Sequence, residues 1–287
     1  MLDANRLLVL AVVCLVASAG LATAHGNHLS VDAQLSEDGT VVVENLFLQE
    51  GGYLAIHADD DSPGAVLAHK QLGSGFTSAV AITIDEEFWS EVDDTATVWA
   101  TLHRDDGDNE FEPDGDDEIF RSFGGFAGSE FTVGKHSEGR AYVVAASAYG
   151  VRQQVDGPAV TVANVSLAEP GYVVVRTVDR DYSPGEVIGR ARLDAGTHRN
   201  VTVEIDESAY ESLDERFRLY AMVYADDGDG EFDPEADSPV TVGGEPVGSL
   251  FDLQKTDGDD DLVNTPTTTE DSLVNTPTEN ETTTTDS

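Results

Sequence analysis

Phe217-Arg218-Leu219-Tyr220-Ala221-Met222-Val223-Tyr224-Ala225 alternates with a period of two. Phe217, Leu219, Ala221 and Val223 fall on one side, Arg218, Tyr220, Met222 and Tyr224 on the other, so one face is wholly apolar. A period of two is the signature of a strand, because successive Cβ atoms point to opposite faces of a sheet. Val201-Thr202-Val203-Glu204-Ile205-Asp206 repeats the pattern, with Val201, Val203 and Ile205 against Thr202 and Glu204. Further upstream, Ala96, Val98 and Ala100 alternate with Thr97, Trp99 and Thr101.

These segments occur in pairs. Val43 to His57 reads VENLFLQEGGYLAIH and Val162 to Arg176 reads VANVSLAEPGYVVVR. Ser62-Pro63-Gly64 pairs with Ser183-Pro184-Gly185, Ile84-Asp85-Glu86 with Ile205-Asp206-Glu207, and Asp105 to Asp108 with Asp226 to Asp229. The offset is 119 residues at first and 121 later. A period this long marks tandem domains, not a solenoid. About seven strands per copy, punctuated by Gly, Pro and Asp, predict two tandem Ig-like antiparallel β-sandwiches. The helical hints are short: Asp85 and Asp206 are suitable N-caps, with Phe88 or Trp89 beside Val92, and Tyr210 beside Leu213, closing one turn over the core.

The reading divides the chain into an export signal over 1–24, repeat 1 over 25–135, repeat 2 over 136–253 and a disordered tail over 254–287. Arg6, the apolar run Leu7 to Val16 and the triplet Ala22-Thr23-Ala24 fit a cleavable signal. The one cysteine, Cys14, lies inside that run, so the processed chain is expected to hold its cores without disulfides. The tail repeats LVNTPT at Leu262 and Leu273 and is otherwise Thr, Asp and Glu, too polar to offset the entropy of ordering. No apolar segment follows it, and the expectation is a secreted or cell-surface chain without a transmembrane anchor after signal cleavage.

The 56 acidic residues outweigh 15 basic ones, for a formal net charge of -41, and only Lys70, Lys135 and Lys255 are lysines. Such a surface repels itself in dilute buffer but not in brine, where the Debye length falls to ~3 Å at 1 M. The chain therefore reads as halophilic. The same charge excludes nucleic acid and anionic lipid as partners.

Two acidic loops are the first candidate sites, from Asp105 to Asp117 and from Asp226 to Asp237. Carboxylates spaced by glycine suit a hard cation such as calcium, and the candidate ligands are Asp106, Asp108, Asp116, Asp227, Asp229 and Asp237. The D-G-D-G fragment resembles the calcium loops of EF-hand and dockerin modules. With Asp227 and Asp229 set at the third and fifth positions, Ala225 and Ala236 occupy the first and twelfth, where ligating acids belong. A solvated hairpin loop with Phe111 or Phe232 tucked on the core is the competing reading. A second candidate is copper at an N-terminal His25, with His28 close behind and His57 as a further nitrogen. No G-x-S-x-G elbow and no nucleophilic cysteine occur, and the abundance of acids removes meaning from any carboxylate pair. Sequons begin at Asn164, Asn200 and Asn280.

Gly52-Tyr53 and Gly171-Tyr172, the S-P-G-x-V turns at Ser62 and Ser183, Asp194-Ala195-Gly196-Thr197-His198 and the acidic loops together carry a family likeness. Each copy resembles an exported haloarchaeal cell-surface domain of unknown function that often occurs in tandem. Gly73 to Thr77 departs from that pattern in the first copy. The resemblance implies an extracellular β-sandwich and brings no catalytic residues. The expected function is a non-enzymatic structural or adhesion module, steadied by cations, with cell-envelope or S-layer components as partners; the alternative is the copper protein.

Overall fold

A computed structural model describes residues 26–122, 125–145 and 152–256. The expected signal over 1–24, His25, Asn280 and the tail from 257 onward lie outside these residues.

In the first copy the strands are β1 (His28–Ser30), β2 (Gln34–Ser36), β3 (Thr40–Leu48), β4 (Gly52–Asp59), β5 (Pro63–Leu72) and β6 (Gly75–Thr83). A single-turn helix α1 (Glu86–Glu91) leads to β7 (Thr95–Arg104), β8 (Arg121–Ser122), β9 (Gly125–Phe126) and β10 (Gly128–Lys135). Two sheets face each other, ordered β1-β3-β6 and β2-β10-β7-β4-β5. Pairing is antiparallel except between β2 and β10. The second copy repeats this with β11 (Tyr142–Val144), β12 (Gln153–Val155), β13 (Ala159–Leu167), β14 (Gly171–Val178), β15 (Pro184–Leu193) and β16 (Gly196–Glu204). Helix α2 (Glu207–Ser212), β17 (Arg216–Ala225), β18 (Ser238–Pro239), β19 (Thr241–Val242), β20 (Glu245–Pro246) and β21 (Gly248–Lys255) complete it. Its sheets run β11-β13-β16 and β12-β21-β17-β14-β15. Two tandem antiparallel sandwiches are thus what the alternating segments build.

The apolar faces close the cores as their period requires. Leu219, Ala221 and Val223 of β17 are buried with Val173 and Val175 of β14 and Val162 and Val165 of β13. Val98, Ala100 and Leu102 of β7 meet Leu54, Ile56, Val41 and Val43 in the first copy. Each helix turn lies on its core through Trp89 and Val92 or through Tyr210 and Leu213. Asp85 caps α1, accepting from the Glu87 and Phe88 amides at 3.0 and 3.1 Å, while Asp206 makes no such side-chain bond. Two of the three lysines close the other end of these turns. Lys135 Nζ donates to the Trp89 and Val92 carbonyls over the indole face, and Lys255 Nζ donates to the Leu213 carbonyl over the Tyr210 ring. A cation at a helix C-terminus and over an aromatic face gains twice, which accounts for lysine in a chain that otherwise shuns it.

The two sandwiches belong to one compact unit. Leu35 and Ala141 exchange both backbone bonds, at 2.8 and 3.1 Å, and Ala33 is buried in the core of the second copy. Beside this seam the carboxyls of Glu44 and Asp32 hydrogen-bond to each other, and Ser249 Oγ of the second copy donates to Glu44 Oε2 at 3.0 Å. Burial first, then the Asp32 charge, pushes the Glu44 carboxyl well above the usual carboxylate range. Asp32 is raised too, by burial of its carboxyl first and by the Glu245 charge, against the lowering effect of its bond to Glu44. Burial and the carboxylates of Asp32, Glu44 and Glu245 push the Tyr220 phenol up to about 12.

Candidate functional site

Each sandwich has one end closed by its acidic loop, and the two loops are built alike. Asp105 Oδ1 accepts from the Gly107 and Asn109 amides, Asp106 Oδ1 from Asp108, and Asp108 Oδ1 from Glu110. Asp226, Asp227 and Asp229 make the corresponding bonds to Gly228, Gly230, Asp229 and Glu231. Aspartates that hold amides two residues on form a run of side-chain turns, and the hairpin winds up on its own carboxylates. These bonds pull Asp105 and Asp226 below the usual carboxylate range, the Gly107 and Gly228 amides being the foremost cause in each.

One acid per loop is buried and holds its base. Asp117 accepts from the Asp106 and Glu112 amides at 3.1 and 2.9 Å; Asp237 accepts from Asp227 and Asp233, both at 2.9 Å. Asp117 is 1% exposed and Asp237 2%. Of the candidate ligands Asp116 and Asp237, only Asp237 takes this buried place; Asp116 is exposed and its neighbour Asp117 stands there in the first loop. Phe120 and Val240 form equivalent backbone bonds to Leu102 and Val223, so anchoring the alignment there, and not on the leading Asp pair, exposes the extra residue in the first loop.

For a cation, the structure groups Asp105, Asp106 and Asp117 in the first loop, and Asp226, Asp227 and Asp229 in the second, with carboxylate oxygens within 4.8 Å of one another. Of the expected ligands this brings together Asp106 in one loop and Asp227 with Asp229 in the other. Asp108 and Asp116 stand outside their group and Asp237 serves the backbone.

Beneath each loop lies the outer face of the larger sheet, and here the copies differ. Strand register makes Tyr53, Ala55, His57, Thr101 and His103 equivalent to Tyr172, Val174, Arg176, Met222 and Tyr224. In the second copy Tyr172, Val174, Met222 and Tyr224 form a small apolar cluster under Phe232. Arg176 threads past it, donating Nε–H to the Gly185 carbonyl at 2.7 Å and Nη1–H to the Tyr224 hydroxyl. The first copy places two histidines there. His57 Nδ1 faces the Gly64 carbonyl at 2.9 Å and His103 Nδ1 faces the Asp117 carbonyl at 2.7 Å. The two Nε2 atoms lie 3.1 Å apart, with Thr101 Oγ1 at 2.9 and 3.0 Å from them. All three side chains are buried, and burial lowers both imidazole pKa values.

The recurrent glycine-tyrosine pair is explained by this end. A Cβ on Gly52 or Gly171 would run into the carbonyl oxygen of His103 or Tyr224, so only glycine lets β4 and β14 sit so close to their neighbours. The tyrosine that follows packs against the loop aromatic, Phe111 or Phe232, at 4.9 or 5.2 Å.

His28 does not join His57: it stacks on Phe47 in the smaller sheet, its Nδ1 bonded to the Gly26 carbonyl. The His57–His103 pair escaped sequence reasoning because the residues lie on separate strands and have no histidine counterparts in the other copy; tabulating the outward positions of β4 and β7 together would have found it. Of the sequons, Asn200 and Thr202 are exposed on β16, whereas Ser166 beside half-buried Asn164 is 2% exposed and bonded to Thr197.

Among curated proteins, a 97-residue stretch is 34% identical to "Cell surface glycoprotein 1" of Haloarcula hispanica, covering 33% of this chain and 10% of that protein. A 90-residue stretch is 36% identical to "Cell surface glycoprotein 2" of the same organism, covering 31% and 9%. The chain thus spans about a tenth of the length of these relatives. Among solved structures, the "Titin Ig tandem domains A164-A165" align over 80% of this chain and 95% of theirs at 7% identity and a TM-score of 0.20. Residues 27–130 and 146–254 each match one family, described as "Domain of unknown function (DUF7282)". Covering both copies and most of the chain, that match makes the protein a member of this family with two of its domains in tandem.

Proposed function

We propose that this chain is a non-enzymatic extracellular module of a halophile, a structural or adhesive element of the cell envelope whose modules are 25–135 and 136–253. The observation that carries the reading is the reuse of one domain: a stretch of about one copy's length recurs inside two cell surface glycoproteins, and here two copies are joined through the Leu35–Ala141 seam. Segments that recur inside much longer surface proteins behave as building blocks, and a welded pair holds its outer faces at a set spacing. The partners implied are envelope or S-layer components. Among the described residues no helix is long and apolar enough to cross a membrane, so retention falls to protein contacts or to parts outside them. The test is fractionation of envelopes in native salt followed by capture with the tagged chain. Recovery of surface glycoprotein in equal amounts with and without the chain sinks the reading, and so does turnover in a hydrolase screen run in molar salt.

A hard cation at the acidic loops is the finer part of this proposal, supported by the two carboxylate groups around Asp106 and Asp227. Calcium added in potassium chloride raises the melting midpoint relative to chelator, and Asp227→Ala with Asp229→Ala removes the rise. An unchanged midpoint retires the cation.

A further inference from the structure

We propose that His57, His103 and Thr101 form a binding site for one nitrogen-preferring divalent transition ion of the zinc or copper kind, buried beneath the first acidic loop and missing from the second. The argument begins with protons. Carbonyl oxygens only accept, so the bonds to Gly64 and Asp117 require each histidine to carry its hydrogen on Nδ1. Each neutral Nε2 is then a bare lone pair, and the two face each other at 3.1 Å. Thr101 has one hydroxyl hydrogen and stands within 3.0 Å of both, so it satisfies one of them. The other lone pair meets only its like, in a place where His57 is 3% exposed, His103 1% and Thr101 0%. A cation between the rings resolves the conflict.

The three donor atoms form a nearly equilateral triangle with sides of 2.9, 3.0 and 3.1 Å. With metal–nitrogen bonds of about 2.0–2.1 Å, a 3.1 Å separation closes an angle of about 100° at the ion, near that of a tetrahedral site. Calcium and magnesium prefer all-oxygen shells, which leaves the nitrogen-binding d-block ions. A ligating imidazole usually donates its other ring N–H to a carboxylate or a carbonyl, as both rings do here. The same framework carries larger side chains in the second copy: His57, His103, Thr101 and Ala55 are each smaller than the Arg176, Tyr224, Met222 and Val174 at the equivalent positions. The surrounding field is negative, for the Tyr53 phenol below the loop is raised by burial and by the carboxylates of Asp105, Asp117, Asp108 and Asp106.

The experiment uses the full secreted chain, stripped with chelator, in molar potassium chloride. Zn²⁺ is titrated by calorimetry, and Co²⁺ by its visible absorption, which reports nitrogen ligands. One tight ion per chain and a cobalt band are expected. Both weaken at least about 100-fold in the triple variant His57→Arg, Thr101→Met, His103→Tyr, which installs the set the second copy already folds around. Should that variant misfold by circular dichroism, His103→Gln alone decides, with exposed Glu186→Gln as the control expected to bind normally. Uptake unchanged by these substitutions overturns the proposal by placing the ion elsewhere. So does absence of uptake, and one proton shared between the two Nε2 atoms in imidazole ¹⁵N spectra would then name what bridges them.

Discussion

Replacing Asp237 by alanine should cost the second sandwich far more than removing any other acid of its loop. The carboxylate is 2% exposed and accepts two amide bonds, from Asp227 and Asp233, each 2.9 Å long. Bonds to a charged acceptor contribute about 1.5–3 kcal/mol each. The two donor residues lie at the surface, so water recovers part of the loss once the side chain is gone. Two full bonds would amount to about 3–6 kcal/mol, and with part of that recovered a loss of about 2–3 kcal/mol is expected in all. Spread over a cooperative unit of this size, that corresponds to a fall in melting midpoint of about 5–10 °C. Asp237→Asn keeps one strong acceptor and should lose about half as much. Asp229→Ala gives up one exposed turn bond, to Glu231, which water replaces, so its midpoint should not move measurably. The assay is thermal unfolding by circular dichroism in concentrated potassium chloride with chelator, so that no divalent ion contributes. Equal losses for Asp237→Ala and Asp229→Ala would refute the claim that one buried acid holds the loop.

Glu44 makes stability depend on pH in a direction opposite to ordinary acid denaturation. Its folded pKa is raised, so the folded chain keeps a proton that the unfolded chain releases near pH 4.5; stability is greatest below that value and declines as pH rises through the folded pKa. Lowered His57 and His103 oppose this below about pH 6.5, so the readout is the difference between parent and variant: Glu44→Gln should gain stability relative to the parent as pH rises from 5 to 8, and a difference that does not change with pH refutes the assignment. Asp38, Asp105, Asp181 and Asp226 are lowered and also act in the other direction, but below about pH 3.8, outside this window. Ala79 sits in a bulge of β6 at φ 53°, where Asn200 stands at φ 50° in β16. Ala79→Asn should stabilise by about 0.5–1 kcal/mol, because asparagine tolerates the left-handed region that costs alanine about 1–2; a lowered urea midpoint contradicts this. Mass spectrometry of the native protein should find glycan at Asn200 and bare Asn164, and a modified Asn164 would mean that transfer precedes folding of β13.

Sequence patterning revealed the strands because each core strand spends one face inward, and a period of two survives any identity of the outer residues. Trp89 and Lys135 show where that logic thins: the tryptophan was visible as a core residue, but the lysine that closes its helix turn lies in another strand and bears no local mark. The acidic loops were visible as composition, and their internal order was not. Asp116 and Asp117 are adjacent and chemically identical, and only the backbone pairing of Phe120 to Leu102 tells which of them turns inward. The seam between copies was invisible for a related reason. Glu44 occupies a strand position that looks solvated by its charge, and becomes buried only when the second sandwich brings Ser249 against it.

The divergence of the two copies under identical loops carries the strongest functional argument. The inner faces, which set the fold, exchange one aliphatic for another: Ile56 for Val175, Leu102 for Val223. The outer face beneath the loop instead exchanges chemistry, a polar triangle of His57, His103 and Thr101 against a packed Met222 and Tyr224 with Arg176 threaded through. The same Gly carbonyl, of Gly64 or Gly185, receives the N–H of whichever residue stands there. A framework that accepts an apolar cluster at this place has no structural need for two facing imidazoles in the other copy. Burying them unshielded costs the first sandwich stability that the second does not forgo, and an ion between them removes that cost. The comparison to make is therefore internal: grafting the second copy's residues into the first should stabilise the metal-free chain while abolishing uptake of zinc. A graft that destabilises the chelated protein would mean that the histidines serve packing alone.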